Sequence, residues 1–196
     1  MLHELDETIE AFLRGSRPDL FAQADRPVTI SFAPPDERFP PPGVVLPAVD
    51  FFLFLIEENR ELRASEPIVE PQPDGTVIRR PAPVRVDCHY LVTAFSDATQ
   101  RAEEDEHRLL GEVMQLLLRH RQIPGEFVRG VRLAPQRPPV RSSAILPSPN
   151  HGAELWQALK GRPRASLHYV LTISVDAGAP PERLPLVTRI NLEGAS

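Results

Sequence analysis

The chain has 196 residues, a formal net charge of −5 and a pI near 5.7, and a chain of this order buries roughly 70% of its unfolded surface within one domain. With 41% hydrophobic and 25% charged residues, wholesale disorder is excluded. Lys160 is the only lysine and Cys88 the only cysteine, so there is no lysine-rich footprint for nucleic acid and no internal disulfide or cysteine zinc cluster. Nucleic acid and membrane are therefore set aside as partners, the longest apolar run, Phe51 to Ile56, being far short of the ~20 residues of a membrane span.

Leu2, Leu5, Ile9, Phe12 and Leu13 recur at helical spacing, which predicts a first amphipathic helix closed by Gly15. Its acids, Glu4, Asp6, Glu7 and Glu10, are unlike those of a secretory or mitochondrial leader. Val28 to Phe32 alternates as a short strand. The prolines are unusually many, 23 in the chain, and a first group (Pro34, Pro35, Pro40, Pro41, Pro42, Pro47) predicts an extended loop, since proline donates nothing to a ladder. From Val49 to Ile56 the apolar run has no clean alternation, which predicts a central strand covered on both faces. Glu66 to Pro83 is irregular and holds Asp74-Gly75, a two-residue hairpin signal. Val84, Val86, Cys88, Tyr90, Val92 and Ala94 then alternate with Arg85, Asp87, His89, Leu91 and Thr93 in a long strand.

Asp97 and Gln100 have capping-box spacing at the head of a long helix over Ala98 to Arg121. Its apolar face carries Ala102, Leu109, Leu110, Val113, Leu116 and Leu117. Phe127 to Leu133 reads as a strand, a proline-rich stretch follows to Pro149, and Ala153 to Leu159 reads as a short helix carrying Trp156. Leu167 to Val175 alternates as a second long strand, and a short one follows at Leu186 to Leu192. The sum is an α+β fold: one domain, residues 1–178, with a mixed, largely antiparallel sheet packed by one long and one shorter amphipathic helix and joined by Pro-rich loops. Residues 179–196 form a C-terminal extension.

No Gly-rich phosphate loop, nucleophile elbow, H-E-x-x-H or dinucleotide fingerprint is present. Cys88 and His89, as strand neighbours, point to opposite faces and cannot act as a nucleophile and base pair, so Cys88 reads as a small core residue. Glu103 and Glu104 precede His107 at helical spacing, and Asp87 and Asp176 lie on strands; a solvated helix face and isolated carboxylates account for them. Trp156 reads as core. No catalytic, cofactor-binding or metal-binding residue is assigned. One region is locally basic: Arg129, Arg132, Arg137 and Arg141, with Glu126 the only acid between Arg121 and Arg141. Such arginines suit an acidic partner surface or a phosphate backbone; the competing account is a solvated loop in an arginine-biased sequence.

Three segments together resemble a known family: FFLFLIEENRELR (Phe51 to Arg63), VDCHYLVTAFSD continuing through EEDEHRLLGEVMQLLLRHRQIPG (Val86 to Gly125), and ELWQALKGRPRASLHYVLTISVD (Glu154 to Asp176). The family is the tail-terminator, or cap, protein of extracellular contractile injection systems, of the antifeeding-prophage and Photorhabdus virulence-cassette kind. The resemblance implies a tail-terminator-like fold and a ring of identical subunits, expected to be a hexamer, at the distal end of an inner tube and sheath. There it stops polymerisation and stabilises the extended sheath. It also implies assembly in the bacterial cytoplasm, tube and sheath proteins as partners, and neither cofactor nor catalysis. The chain departs from the family pattern at Glu66 to Pro83 and after Asp176. On this reading Val187, Arg189 and Asn191 join Arg129, Arg132, Arg137 and Arg141 as candidate contact residues. The competing reading is an assembly adaptor or chaperone that binds another particle component, such as the tape-measure protein.

Overall fold

The computed structural model describes residues 1–23, 25–34, 40, 42–64, 66–144, 156–157, 163–176, 180 and 182–185. In chain order its elements are α1 (Leu2–Ser16), α2 (Pro18–Phe21), β1 (Thr29–Ser31), β2 (Ala48–Glu58), β3 (Ile68–Pro71), β4 (Thr76–Arg80), β5 (Val84–Phe95), α3 (Ala102–Arg119), a 3-10 turn at Gly125–Phe127, β6 (Arg141–Ala144), β7 (Leu167–Val175) and β8 (Glu182–Pro185). They fall into two compact units, Met1–Glu58 with Val86–Ser174, and Asn59–Arg85 with Val175–Ser196.

The first unit holds a five-stranded mixed sheet in the order β1-β2-β5-β7-β6. β1 runs parallel to β2, while the β2/β5 and β6/β7 pairs are antiparallel. The central strand is β5, not the Val49 to Ile56 run. From Cys88 to Phe95 every β5 residue is buried, whereas β2 is buried only from Ala48 to Phe51 and Ile56 is 46% exposed. Coverage on both faces, expected for the whole run, holds from Ala48 to Phe51, where successive residues are buried. Further on, Leu53 pairs with Tyr90 and Leu55 with His89, so Phe54 is an extra residue, a β-bulge that shifts the phase of the rest of the strand.

α1 buries Leu5, Ile9, Phe12 and Leu13. It ends at Ser16, one residue past Gly15, and the glycine serves close packing, since a Cβ there would sit 2.2 Å from Phe127 Cε1. Phe12 completes the contact, with ring centroids 5.8 Å from Phe127 and 5.0 Å from His120. α3 starts at Ala102, four residues later than the capping box predicts. Asp97 is engaged by Arg26, and Arg101, in the left-handed conformation at φ 56, is the N-cap with no side-chain cap. Its carbonyl takes the amides of Glu104 at 3.1 Å and Asp105 at 3.3 Å.

Phe127 to Leu133 is not a strand; it forms the end of the 3-10 turn and a run of further turns. Of the short helix at Ala153 to Leu159 only Trp156 and Gln157 are described; both are helical, and Trp156 is buried. The strand expected at Leu186 to Leu192 lies outside the described residues.

The second unit holds an antiparallel sheet in the order β3-β4-β8. The β3-β4 hairpin falls where Asp74-Gly75 signals it, but its loop has three residues. The Gln72 amide donates to Thr76 O at 2.8 Å and the Gly75 amide to Gln72 O at 3.2 Å, with Gly75 at φ 78. Pro73 suits the first central position of the turn and glycine the left-handed closing position.

Candidate partner-binding surface

The arginine-bearing connection between α3 and β6 lies on the first unit. Segment 121–123 runs beside 140–142: Ile123 N donates to Val140 O at 3.0 Å, and Ser142 N to Arg121 O at 2.9 Å. The Ser142 hydroxyl donates to His120 O at 2.8 Å. Three apolar side chains, Ile123, Leu133 and Val140, are buried as plugs.

Between them the loop is fastened to α1 by two polar side chains that α1 buries. Thr8 is fully buried; its Oγ1 accepts the Arg129 amide at 2.9 Å and donates to Glu4 O at 2.6 Å. Glu4 is only 5% exposed, and its Oε2 accepts the amides of Leu133 at 3.1 Å and Arg132 at 3.3 Å. Gly130, at φ 91, crosses so close above this carboxylate that a Cβ would lie 2.1 Å from Glu4 Cδ. At the far end Gln136 Oε1 accepts the Ser174 amide at 2.9 Å, and the Ser174 hydroxyl donates to Arg137 O at 3.3 Å. The backbone is thus fixed from beneath at Arg129, Arg132 and Leu133.

Arg129, Arg132, Arg137 and Arg141 are all exposed. Arg129 Nη1 donates to the backbone carbonyl of Glu126 at 2.7 Å and Arg137 Nη1 to that of Gln136 at 3.0 Å. None of the four has a carboxylate within ion-pair reach among the described residues. Val131, between two of them, is 87% exposed. Val187, Arg189 and Asn191 lie outside the described residues. Glu4 and Thr8 went unnoticed in the sequence, although their i, i+4 spacing with Phe12 places both on the buried stripe of α1, where unpartnered polar groups are costly.

The other residues singled out are structural. Cys88 is fully buried, and burial, with Asp87 and Asp6 adding to it, pushes its thiol up to about 12. His89 faces away from it: Nδ1 lies 2.9 Å from His168 Nε2, and Nε2 lies 3.2 Å from Glu57. Asp87 accepts the Thr172 hydroxyl at 2.6 Å, and Glu104 pairs with Arg101. Among the described residues no group of three or more His, Cys, Asp or Glu side chains is placed to hold a metal ion, and no helix is long and apolar enough to cross a membrane.

A five-stranded mixed sheet backed by a short and a long amphipathic helix, with irregular arms, is a tail-terminator-like α+β fold. The family model described as the Pvc16 N-terminal domain matches residues 4–189, and the chain belongs to that family. The fold matches the sheath/tube terminator of an extracellular contractile injection system, PVC, in the extended state, with a TM-score of 0.67 at 20% identity, over 100% of this chain and 64% of that one. It also matches the tube-terminating cap of the anti-feeding prophage, with a TM-score of 0.62 at 21% identity, over 95% of this chain and 59% of that one. The chain therefore spans less than two thirds of either protein. No curated protein matches it.

Proposed function

We propose that this protein is the structural cap of a phage-tail-like contractile injection particle, a closed ring, expected to be sixfold, at the distal end of the inner tube and sheath. In that position it ends polymerisation of both and stabilises the extended sheath. Its partners are copies of itself and the tube and sheath proteins; assembly takes place in the bacterial cytoplasm, and no catalysis or cofactor is involved. The observation that carries this reading is family membership over residues 4–189, joined to a shared fold with two proteins described as a terminator and a cap.

The physical character of the chain supports it. A cap acts by shape, and rigid arms lose less entropy on docking, which is what proline supplies. The segment Leu186 to Leu192 would dock by strand addition to a sheath subunit through Val187, Arg189 and Asn191, since an extended segment gains affinity at a sheet edge. A chain truncated after Pro185 should fold yet fail to bind sheath; unchanged binding would refute that part.

The decisive experiment is to co-express the cognate tube, sheath and baseplate proteins with and without this chain and to measure particle lengths by electron microscopy. Over-long or unsheathed particles in its absence, and a ring at the distal end in its presence, are expected. Unchanged lengths and ends would overturn the cap and leave the adaptor, which forms a small hetero-complex and no ring.

A further inference from the structure

The arginines of this protein divide into two sets. Across most of the described chain they are matched by acids: Arg14 with Glu10, Arg17 with Asp19 and Glu112, Arg26 with Asp97, Arg80 with Glu70, Arg108 with Asp105, Arg164 with Glu106. From the end of α3 to the start of β6 the pattern stops. Arg119, Arg121, Arg129, Arg132, Arg137 and Arg141 are exposed, and among the described residues none meets a carboxylate. An arginine-biased sequence accounts for how many arginines there are, but not for six successive arginines of one segment all lacking an ion pair when, among the described residues outside it, most have one.

We propose that this surface is the docking site for a carboxylate-rich segment of another protein, which on the cap reading is a tube or sheath subunit. The guanidinium fork matches a carboxylate bidentately. The backbone beneath Arg129 and Arg132 is already fixed by Thr8, Glu4 and Gly130, so little order is lost on binding. An exposed apolar residue, Val131, stands between the charges, which is the composition of a protein contact, an apolar centre with arginine around it. A phosphate backbone would leave Val131 without an apolar contact, whereas a peptide side chain can cover it, which favours a protein segment over nucleic acid.

The test compares wild type with R129Q/R132Q/R137Q/R141Q and with the same four positions changed to lysine. Both variants are checked for native circular dichroism and thermal melting. The first arm titrates a fluorescent peptide of glutamate and leucine, and separately a short duplex DNA, at about 50 mM salt, where screening is weak. We expect the glutamine variant to bind the peptide roughly tenfold more weakly and the lysine variant to retain most of the affinity. Equal binding by wild type and the glutamine variant, tighter binding of DNA than of peptide, or self-association lost with these arginines in sedimentation would each overturn the proposal. The second arm repeats the comparison on cognate tube and sheath. Capping that is undiminished in the glutamine variant overturns this surface and leaves the cap reading standing. Arginine-dependent peptide binding by a chain that never caps does the reverse.

Discussion

Asp50→Asn should gain stability relative to wild type as pH rises from acid to neutral. Asp50 is 1% exposed, and its Oδ1 has no hydrogen-bond partner among the described residues. Burial is the main influence and lifts its carboxyl from 3.8 to about 6, while hydrogen bonds from the Ser31 hydroxyl and the Ala33 amide pull the other way. Between these two values the folded chain holds a proton that the unfolded chain has released, so stability falls as pH rises through that window. Below it both states are protonated and there is no penalty; above it the penalty is complete. A shift of about two pH units corresponds to about 3 kcal/mol. An asparagine keeps the shape and does not titrate, and whatever its extra amide hydrogens cost is constant with pH. The difference in unfolding free energy, mutant minus wild type, should therefore rise by about 3 kcal/mol between about pH 3 and about pH 8. Urea denaturation at several pH values measures it directly. A difference flat to within about 0.5 kcal/mol would refute the argument, since it exceeds neither extrapolation error nor ordinary surface effects.

Three further outcomes are expected. Gly130→Ala adds a Cβ at φ 91 and 2.1 Å from Glu4 Cδ, and should cost about 1–3 kcal/mol, read as a lower urea midpoint; an unchanged midpoint would contradict the close approach. Thr8→Val leaves the Arg129 amide without its acceptor and should cost about 1–3 kcal/mol, with faster amide exchange at Arg129 as a local signature. Cys88, buried and with its thiol pushed up to about 12, should react with a disulfide reagent at mildly alkaline pH only after unfolding; rapid labelling of native protein would place the thiol outside the core.

The elements that could be read from the sequence are those whose residue pattern keeps one unbroken period over the whole element. β5 and β7 keep a period of two along their length although most of both strands is buried, and α1 shows its stripe because one face is covered. Where the reading departs, a contact distant in sequence has replaced a local preference. Asp97 is taken by Arg26 and so gives up the cap of α3. The bulge at Phe54 shifts the phase of β2 beyond Leu53. Phe127 to Leu133 looks like a strand because apolar residues recur in it, yet Phe127 packs on Phe12, Leu133 is buried and Val131 stands in solvent. The hydrogen bonds that decide its course come from Thr8 and Glu4, 121 to 129 residues away, and no local pattern encodes them.

Local basicity could likewise be read, whereas the lack of compensation could not. Exposed ion pairs contribute only about 0–1 kcal/mol each, so the matched arginines are not required for stability, and an unmatched surface costs the isolated chain little. What the unmatched surface changes is its field and its free donors, which matter only when another molecule arrives. The chain also buries a carboxylate, Glu4, to hold the loop carrying those donors, and the desolvation this entails is offset only because the carboxylate accepts two amides. A solvated loop with no partner needs no such underlay: a hydrated, mobile backbone would satisfy the same amides with water. A fixed backbone and exposed guanidinium groups with no ion pair among the described residues together are the conditions under which Arg→Gln changes should leave stability nearly unchanged while weakening association.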